Sequence, residues 1–138
     1  MTFVRHAFSL AVVLLLAGCA GLVPEPPQEP SQNAAVVSLL DQAQTQLSGG
    51  QLEAAGASLE RALRIEPRNP VLWQELARVR LDQGQYRQTE NLAAKSNALS
   101  GDDTRLRSEN WRIIGEARGR LGDAQGAQAA FERAERER

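Results

Sequence analysis

Three glycine-centred turns recur along the chain at a nearly constant spacing, and this period constrains the fold more than any other feature of the sequence. The turns read Gly50-Gln51-Leu52, Gly84-Gln85-Tyr86 and Gly122-Asp123-Ala124, with steps of 34 and 38 residues between their glycines. Each turn separates two stretches in which apolar residues recur at helical spacing, while β-branched residues rarely form runs. The sequence therefore predicts an all-α protein built from repeated helix–turn–helix units.

The residues around these turns match the signature of one repeat family, with a large residue and a small residue on each first helix and small residues on each second helix. The matching positions are Leu39, Ala43, Ala55, Leu59, Ala62 and Pro67; Trp73, Leu76, Ala77 and Tyr86; and Trp111, Ile114, Gly115, Ala127, Phe131 and Ala134. The chain thus resembles the tetratricopeptide-repeat (TPR) family. The resemblance implies a TPR solenoid of about three repeats (about 36–69, 70–103 and 108–138) and six helices, with Trp73 and Trp111 in the core.

The junction between the second and third repeats departs from the family pattern in two ways. Thr89, Ala93 and Ser96 stand where the second repeat should show Ala, a large apolar residue and Ala. The 38-residue step also inserts about four residues around 100–104. We therefore expect altered curvature at this junction.

The N-terminus resembles that of a bacterial lipoprotein. Arg5 and the apolar run of residues 7–17 have the layout of a secretory signal, too short to span a membrane. Leu16-Ala17-Gly18-Cys19 resembles a lipobox, and the alternative is an ordinary signal with a chance cysteine at its end. The resemblance implies a signal peptide over residues 1–18, acylation of Cys19, and a membrane anchor. Ala20 after the cysteine then favours the periplasmic face of the outer membrane over inner-membrane retention.

Residues 19–33 and 34–138 differ sharply in composition. Four prolines fall within residues 21–31, which favours an extended tether between the lipidated Cys19 and a repeat domain over residues 34–138. Acidic and basic residues are interspersed along the chain, so no basic face indicates nucleic-acid binding.

Catalysis is not expected of the mature chain. Removal of residues 1–18 takes away His6, the only histidine, and lipid occupies Cys19, the only cysteine. Cysteine nucleophiles, histidine bases and His/Cys metal sites are therefore excluded. Asp102-Asp103 is the adjacent acidic pair of the repeat region, and acids just before a helix are typical of caps. We expect no enzyme activity, no cofactor and no metal.

In the TPR family the first helices line a concave groove, and the resemblance carries its positions onto this chain. The polar positions assigned to partner binding are Gln44, Gln74, Arg78, Asp82, Arg112, Glu116 and Arg120. The first repeat contributes apolar groove residues, including Val37, Leu40 and Leu47. The alternative for the charged positions is a solvated face with local ion pairs. Leu40, Gln44, Glu75 and Ile113 stand where the chaperone-binding members carry a Lys/Asn/Arg clamp for a C-terminal carboxylate, so that clamp is absent.

The resemblance extends to the order of parts: lipobox, short proline-rich tether and a few repeats. This order is similar to that of the small outer-membrane lipoprotein activators of class A penicillin-binding proteins. The similarity implies a non-catalytic protein that binds and regulates an envelope protein. The alternative is an assembly factor like the type IV pilus pilotins, or a general envelope scaffold. The charged segment 131–138 either caps the solenoid or offers the face of the last helix to a partner.

Overall fold

The computed structural model describes residues 31–138, and this part of the chain consists of six α-helices with no strand. The helices are α1 (Ala34–Ser48), α2 (Leu52–Ile65), α3 (Pro70–Asp82), α4 (Tyr86–Leu99), α5 (Thr104–Arg120) and α6 (Ala124–Arg136). They pack as three successive hairpins, which confirms the all-α repeat fold. The predicted signal peptide, Cys19 and the predicted tether up to residue 30 lie outside the described residues. No helix within residues 31–138 is long and apolar enough to cross a membrane.

Short polar side chains and glycines set the helix boundaries. The first helix of every repeat begins after a capping residue: Asn33 accepts from the Ala35 amide, Asn69 from the Val71 amide and Asp103 from the Leu106 amide. Each cap satisfies an amide that would otherwise lack a partner in the first helical turn. Within the hairpins, Gly50, Gly84 and Gly122 take φ values of 71°, 74° and 84°, a conformation that residues with a Cβ adopt rarely.

Each repeat buries its apolar face against the next. The first core cluster joins the apolar residues of α1 and α2 to Leu72, Leu76 and Val79 of α3. The second joins Ala77 and Ala93 to Ile113 and Ile114 of α5 and Ala130 of α6. Trp73 packs against the first cluster and Trp111 against the second, and both rings are partly buried. The tryptophans are therefore core residues, as the TPR pattern predicts.

A buried polar network holds the junction between repeats two and three. The Ser96 hydroxyl donates to the Pro70 carbonyl at 2.8 Å, and the Asn110 amide nitrogen donates to the Ser96 oxygen at 2.8 Å. Gln74 completes the network by donating from its amide nitrogen to the side-chain carbonyl oxygen of Asn110 at 3.0 Å. All three side chains are buried. The departure from the family pattern at Ser96 thus has a function in packing, because its hydroxyl links α3, α4 and α5.

The four extra residues of the 38-residue step do not lengthen the loop. They form an additional first turn of α5, which begins at Thr104, four residues before the predicted start of the third repeat. Leu106 on this turn is 2% exposed, and its carbonyl accepts from Gln74 at 3.5 Å. In the described helices α3 and α5 approach each other directly, whereas no comparable backbone contact joins α1 to α3. The two inter-repeat junctions therefore differ in which helices meet, and altered curvature at the second junction stays a prediction.

Candidate functional site

The surface formed by the first helices α1, α3 and α5, which the TPR resemblance predicts to be a groove, is the candidate site. Six of the seven predicted polar residues are exposed on these helices: Gln44, Arg78, Asp82, Arg112, Glu116 and Arg120. The apolar end of the surface lies on α1, where Val37 is 41% exposed and Leu40 and Leu47 are partly buried against the first core cluster. The change from apolar to charged along the surface therefore follows the order of the repeats.

Gln74 departs from its predicted place on this surface. Its side chain is only 3% exposed, and its amide nitrogen donates to Asn110 and to the Leu106 carbonyl. The extra turn of α5 brings Leu106 over this position, which explains the burial. Gln74 is a packing residue, and we leave it out of the candidate partner-binding set.

The charged centre of the surface is a four-residue ion-pair cluster. Arg78 of α3 reaches Glu109 of α5, with 3.2 Å between Nη2 and Oε2, and lies 3.9 Å from Glu75. Glu109 also accepts from Arg105 at 3.0 Å. The guanidinium of Arg78 is thus shared between two carboxylates on two helices. Sequence reasoning did not assign Arg105, because it lies on the additional turn that the repeat pattern does not contain.

The surroundings of Glu75 in this cluster disfavour the charged form of its carboxyl group. Burial raises the pKa of Glu75 above its usual value, Arg78 lowers it in part, and the negative charge of Glu109 raises it further. Glu75 stands where the chaperone-binding clamp would carry an amide.

The other two arginines of the predicted set also have acidic partners. Arg120 lies 3.7 Å from Glu116 on the same helix, and Arg112 pairs with Glu135 of α6 at 3.0 Å. Exposed pairs of this kind contribute about 0.2–1 kcal/mol each, so a partner carboxylate can replace the internal one at little cost. The local ion pairs that the alternative interpretation expects are thus present. They leave each arginine able to exchange its internal carboxylate for one of a partner.

Among residues 31–138 no group of His, Cys, Asp and Glu side chains could hold a metal ion. Asp103 of the adjacent acidic pair caps α5 by accepting from the Leu106 amide at 2.9 Å. The capping interpretation of this aspartate is therefore confirmed.

Comparisons with known proteins agree with the repeat geometry. A tetratricopeptide-repeat family model matches residues 46–108. The globular C-terminal domain of P. aeruginosa LpoP is 38% identical, with a TM-score of 0.73, and the match covers 76% of this chain and 99% of that domain. The fold is that of a TPR interaction domain, and the chain belongs to the tetratricopeptide-repeat family. Within that family, the LpoP domain is a relative that it matches along almost the whole domain.

Two more distant structures share the fold alone. The N-terminal domain of stress-induced protein-1 from C. elegans is 17% identical, with a TM-score of 0.71, and the match covers 79% of this chain and 88% of that one. The second TPR of Spaghetti (RPAP3), solved with the HSP90 peptide SRMEEVD, is 22% identical, with a TM-score of 0.67. That match covers 76% of this chain and 94% of the other. A search of curated proteins finds no match.

Proposed function

We propose that the chain is a lipid-anchored periplasmic TPR protein that binds and activates a class A penicillin-binding protein, a peptidoglycan synthase. The observation that carries the proposal is the 38% identity to the LpoP domain over 99% of its length. The second support is the order of lipobox, tether and repeats, which resembles the small lipoprotein activators of these synthases. The described surface carries exposed charged side chains for contact with a protein partner, among them Arg78 and Arg120.

Activation by such a domain requires a difference in binding energy. The chain shifts the synthase toward its active state only if it binds that state more tightly than the resting one. Arg78 and Arg120 are exposed on neighbouring first helices, and each holds an acidic side chain of its own domain through a solvent-exposed pair. A guanidinium binds a carboxylate through two parallel hydrogen bonds, which gives both energy and orientation. Acidic side chains of the synthase are the groups that these arginines would hold.

The anchor has a different role. Lipid on Cys19 would confine the domain to the inner face of the outer membrane and so raise its effective concentration near an envelope partner. The repeat domain itself would make the contacts. Binding in solution should therefore not need residues 1–30.

A binding measurement with purified proteins tests the proposal. Residues 31–138 are titrated onto an immobilised class A synthase from the same bacterium, beside the variants Arg78→Glu and Arg87→Glu. Arg87 is exposed on the second helix α4, so its reversal makes the same charge change away from the groove. We expect Arg78→Glu to weaken binding by about tenfold or more and Arg87→Glu to leave it unchanged. Absence of binding, or equal loss in both variants, would contradict the proposal.

A further inference from the structure

The open end of the third repeat exposes a residue that the other repeats bury. Phe131 of α6 corresponds, by its distance from Trp111, to Ala93 in the second repeat and Leu59 in the first. Leu59 is 1% exposed and Ala93 is fully buried, whereas Phe131 is 41% exposed. The largest of the three side chains thus has the least cover.

The cover in the first two repeats comes from the first helix of the next repeat. Leu59 shares a core cluster with Leu72 and Val79 of α3, and Ala93 shares one with Ile113 and Ile114 of α5. Within residues 31–138 no helix stands in the corresponding place beside α6. The surface over α5 and α6 is therefore the continuation of an interface that the chain already forms twice within itself.

The charges on this end surface indicate what an incoming helix would carry. Arg112 occupies in the third repeat the position that Gln74 holds in the second. Gln74 is covered by α5 and donates to Asn110 of that helix. A helix docked in the same way on the third repeat would place its counterpart of Asn110 against Arg112, and a carboxylate there would pair with the guanidinium. Arg112 is half-exposed, and among residues 31–138 its ion-pair partner is Glu135.

The same surface has a shape that receives side chains. A depression of about 420 Å³ is lined by Arg112, Glu116, Phe131 and Glu135. Its lining combines one aromatic ring with charged side chains of both signs. Protein-binding surfaces likewise combine apolar contact area with polar surroundings.

A second copy of the chain stacked head to tail is a poor occupant. The positions of α1 that correspond to Leu72 and Val79 hold Ser38 and Thr45, which are both exposed. These polar residues would face Phe131 in such a stack. The first repeat therefore presents a solvated end, unlike the third.

We propose that the α5–α6 end surface docks an amphipathic α-helix of a partner protein, with an apolar stripe on Phe131 and an acidic residue opposite Arg112. This surface shares Arg112 and Glu116 with the groove, whereas Phe131 and Glu135 lie on the second helix α6, outside it. Its occupancy does not depend on the synthase proposal. The chemistry of the occupant follows from the internal interfaces: apolar residues one helical turn apart, as in α3 and α5, and a carboxylate at the Asn110 position.

A peptide from the chain itself is the probe. A fluorescent, helix-stapled peptide of residues 103–120 is made in two forms, Asn110→Glu and Asn110→Lys, and titrated with the full described domain, residues 31–138. We expect the domain to bind the glutamate form about threefold to fivefold more tightly. The variant Arg112→Glu should reverse that preference. This exposed residue is outside both core clusters, so the variant keeps the fold.

Three controls make the result decisive. Phe131→Ser in the domain should weaken the binding of both peptides by about tenfold. Circular dichroism checks that this variant keeps the helicity of the parent domain. A peptide of residues 33–49, which carries Ser38 and Thr45, should not bind. Failure of both forms to bind, or a preference that Arg112→Glu does not reverse, would overturn the proposal. Sedimentation showing a dimer that Phe131→Ser abolishes would overturn it in favour of self-association.

Discussion

The ring of Phe131 on α6 lies directly against Gly115 on α5. A Cβ built on this glycine would come within 2.6 Å of Cε1 and 2.8 Å of Cδ1 of the ring. The absence of a side chain at residue 115 thus lets the two helices of the last repeat close around the aromatic ring. The same contact fixes the position of Phe131 on the end surface.

Gly115→Leu should destabilise the domain by about 1–3 kcal/mol, because the ring must leave its place to make room for the new side chain. Gly119→Leu is the matched control, since a Cβ there meets only the Ala127 Cβ at 3.9 Å. We expect the control to lose no stability, because a leucine favours the helix more than a glycine does. Thermal melting followed by circular dichroism measures both, and an unchanged midpoint for Gly115→Leu would contradict the contact.

Ser96→Ala brings the chain closer to the family pattern, yet it should cost about 1–3 kcal/mol. The substitution leaves the Pro70 carbonyl and the Asn110 amide nitrogen without the hydroxyl that each contacts at 2.8 Å. Thr45→Ala is the control, because the exposed Thr45 hydroxyl donates to the Asp41 carbonyl within its own helix. Urea unfolding of both variants tests the network. If Ser96→Ala proved as stable as the parent chain, the network would not hold the junction.

Glu137 gives the domain a stability that depends on pH. Hydrogen bonds and charge from Arg107, with a smaller contribution from Arg133, lower the pKa of Glu137 below its usual value of 4.5. Its contribution is therefore complete above pH 4.5 and is lost as the pH falls through the lowered pKa. Glu137→Gln should cost up to about 1 kcal/mol at pH 7 and nothing at pH 2.

The control for this prediction is Glu132→Gln on α6, the helix that Glu137 caps. Glu132 is exposed and accepts from the neutral Gln128 at 3.1 Å. Unfolding curves at pH 7 and pH 2 compare the two variants. A Glu137→Gln deficit that stayed the same at both pH values would show that the ion pair with Arg107 is not its source.

Cys19→Ala should abolish lipidation and release the protein from the membrane fraction. The prediction depends on the lipobox resemblance, since Cys19 lies outside the described residues. Labelling of cells with a fatty-acid analogue measures it, and Ala20→Asp gives a second test, because it should move the labelled protein to the inner membrane. Equal labelling of wild type and Cys19→Ala would contradict the anchor.

The fold was largely predictable because its determinants are local. The turn glycines at 50, 84 and 122 and the capping residue Asp103 each act on the few residues beside them. The period places the tryptophans at 73 and 111, which pack against the two core clusters. The extra turn of α5 was not predictable, since a polar loop and the polar first turn of a helix have similar compositions.

For the candidate site, the positions of the side chains on the helices were predictable, but their contacts were not. The repeat pattern located Arg78, Arg112 and Arg120 on first helices, and the structure places them there in exposed positions. Their acidic partners depend on how neighbouring helices meet, as Glu135 of α6 shows for Arg112. The burial of Gln74 likewise follows from the additional turn that carries Leu106. Contacts between repeats are set by the junction, and the pattern within one repeat does not contain them.

Stimulation of a purified synthase tests the central claim most directly. Residues 31–138 are added to a class A penicillin-binding protein of the same bacterium, and the rate of glycan polymerisation is followed with fluorescent lipid II. We predict a rate that rises with the concentration of the domain and saturates, and that loses its stimulation with Arg78→Glu but not with Arg87→Glu. An unchanged polymerisation rate at saturating domain would contradict the activator function.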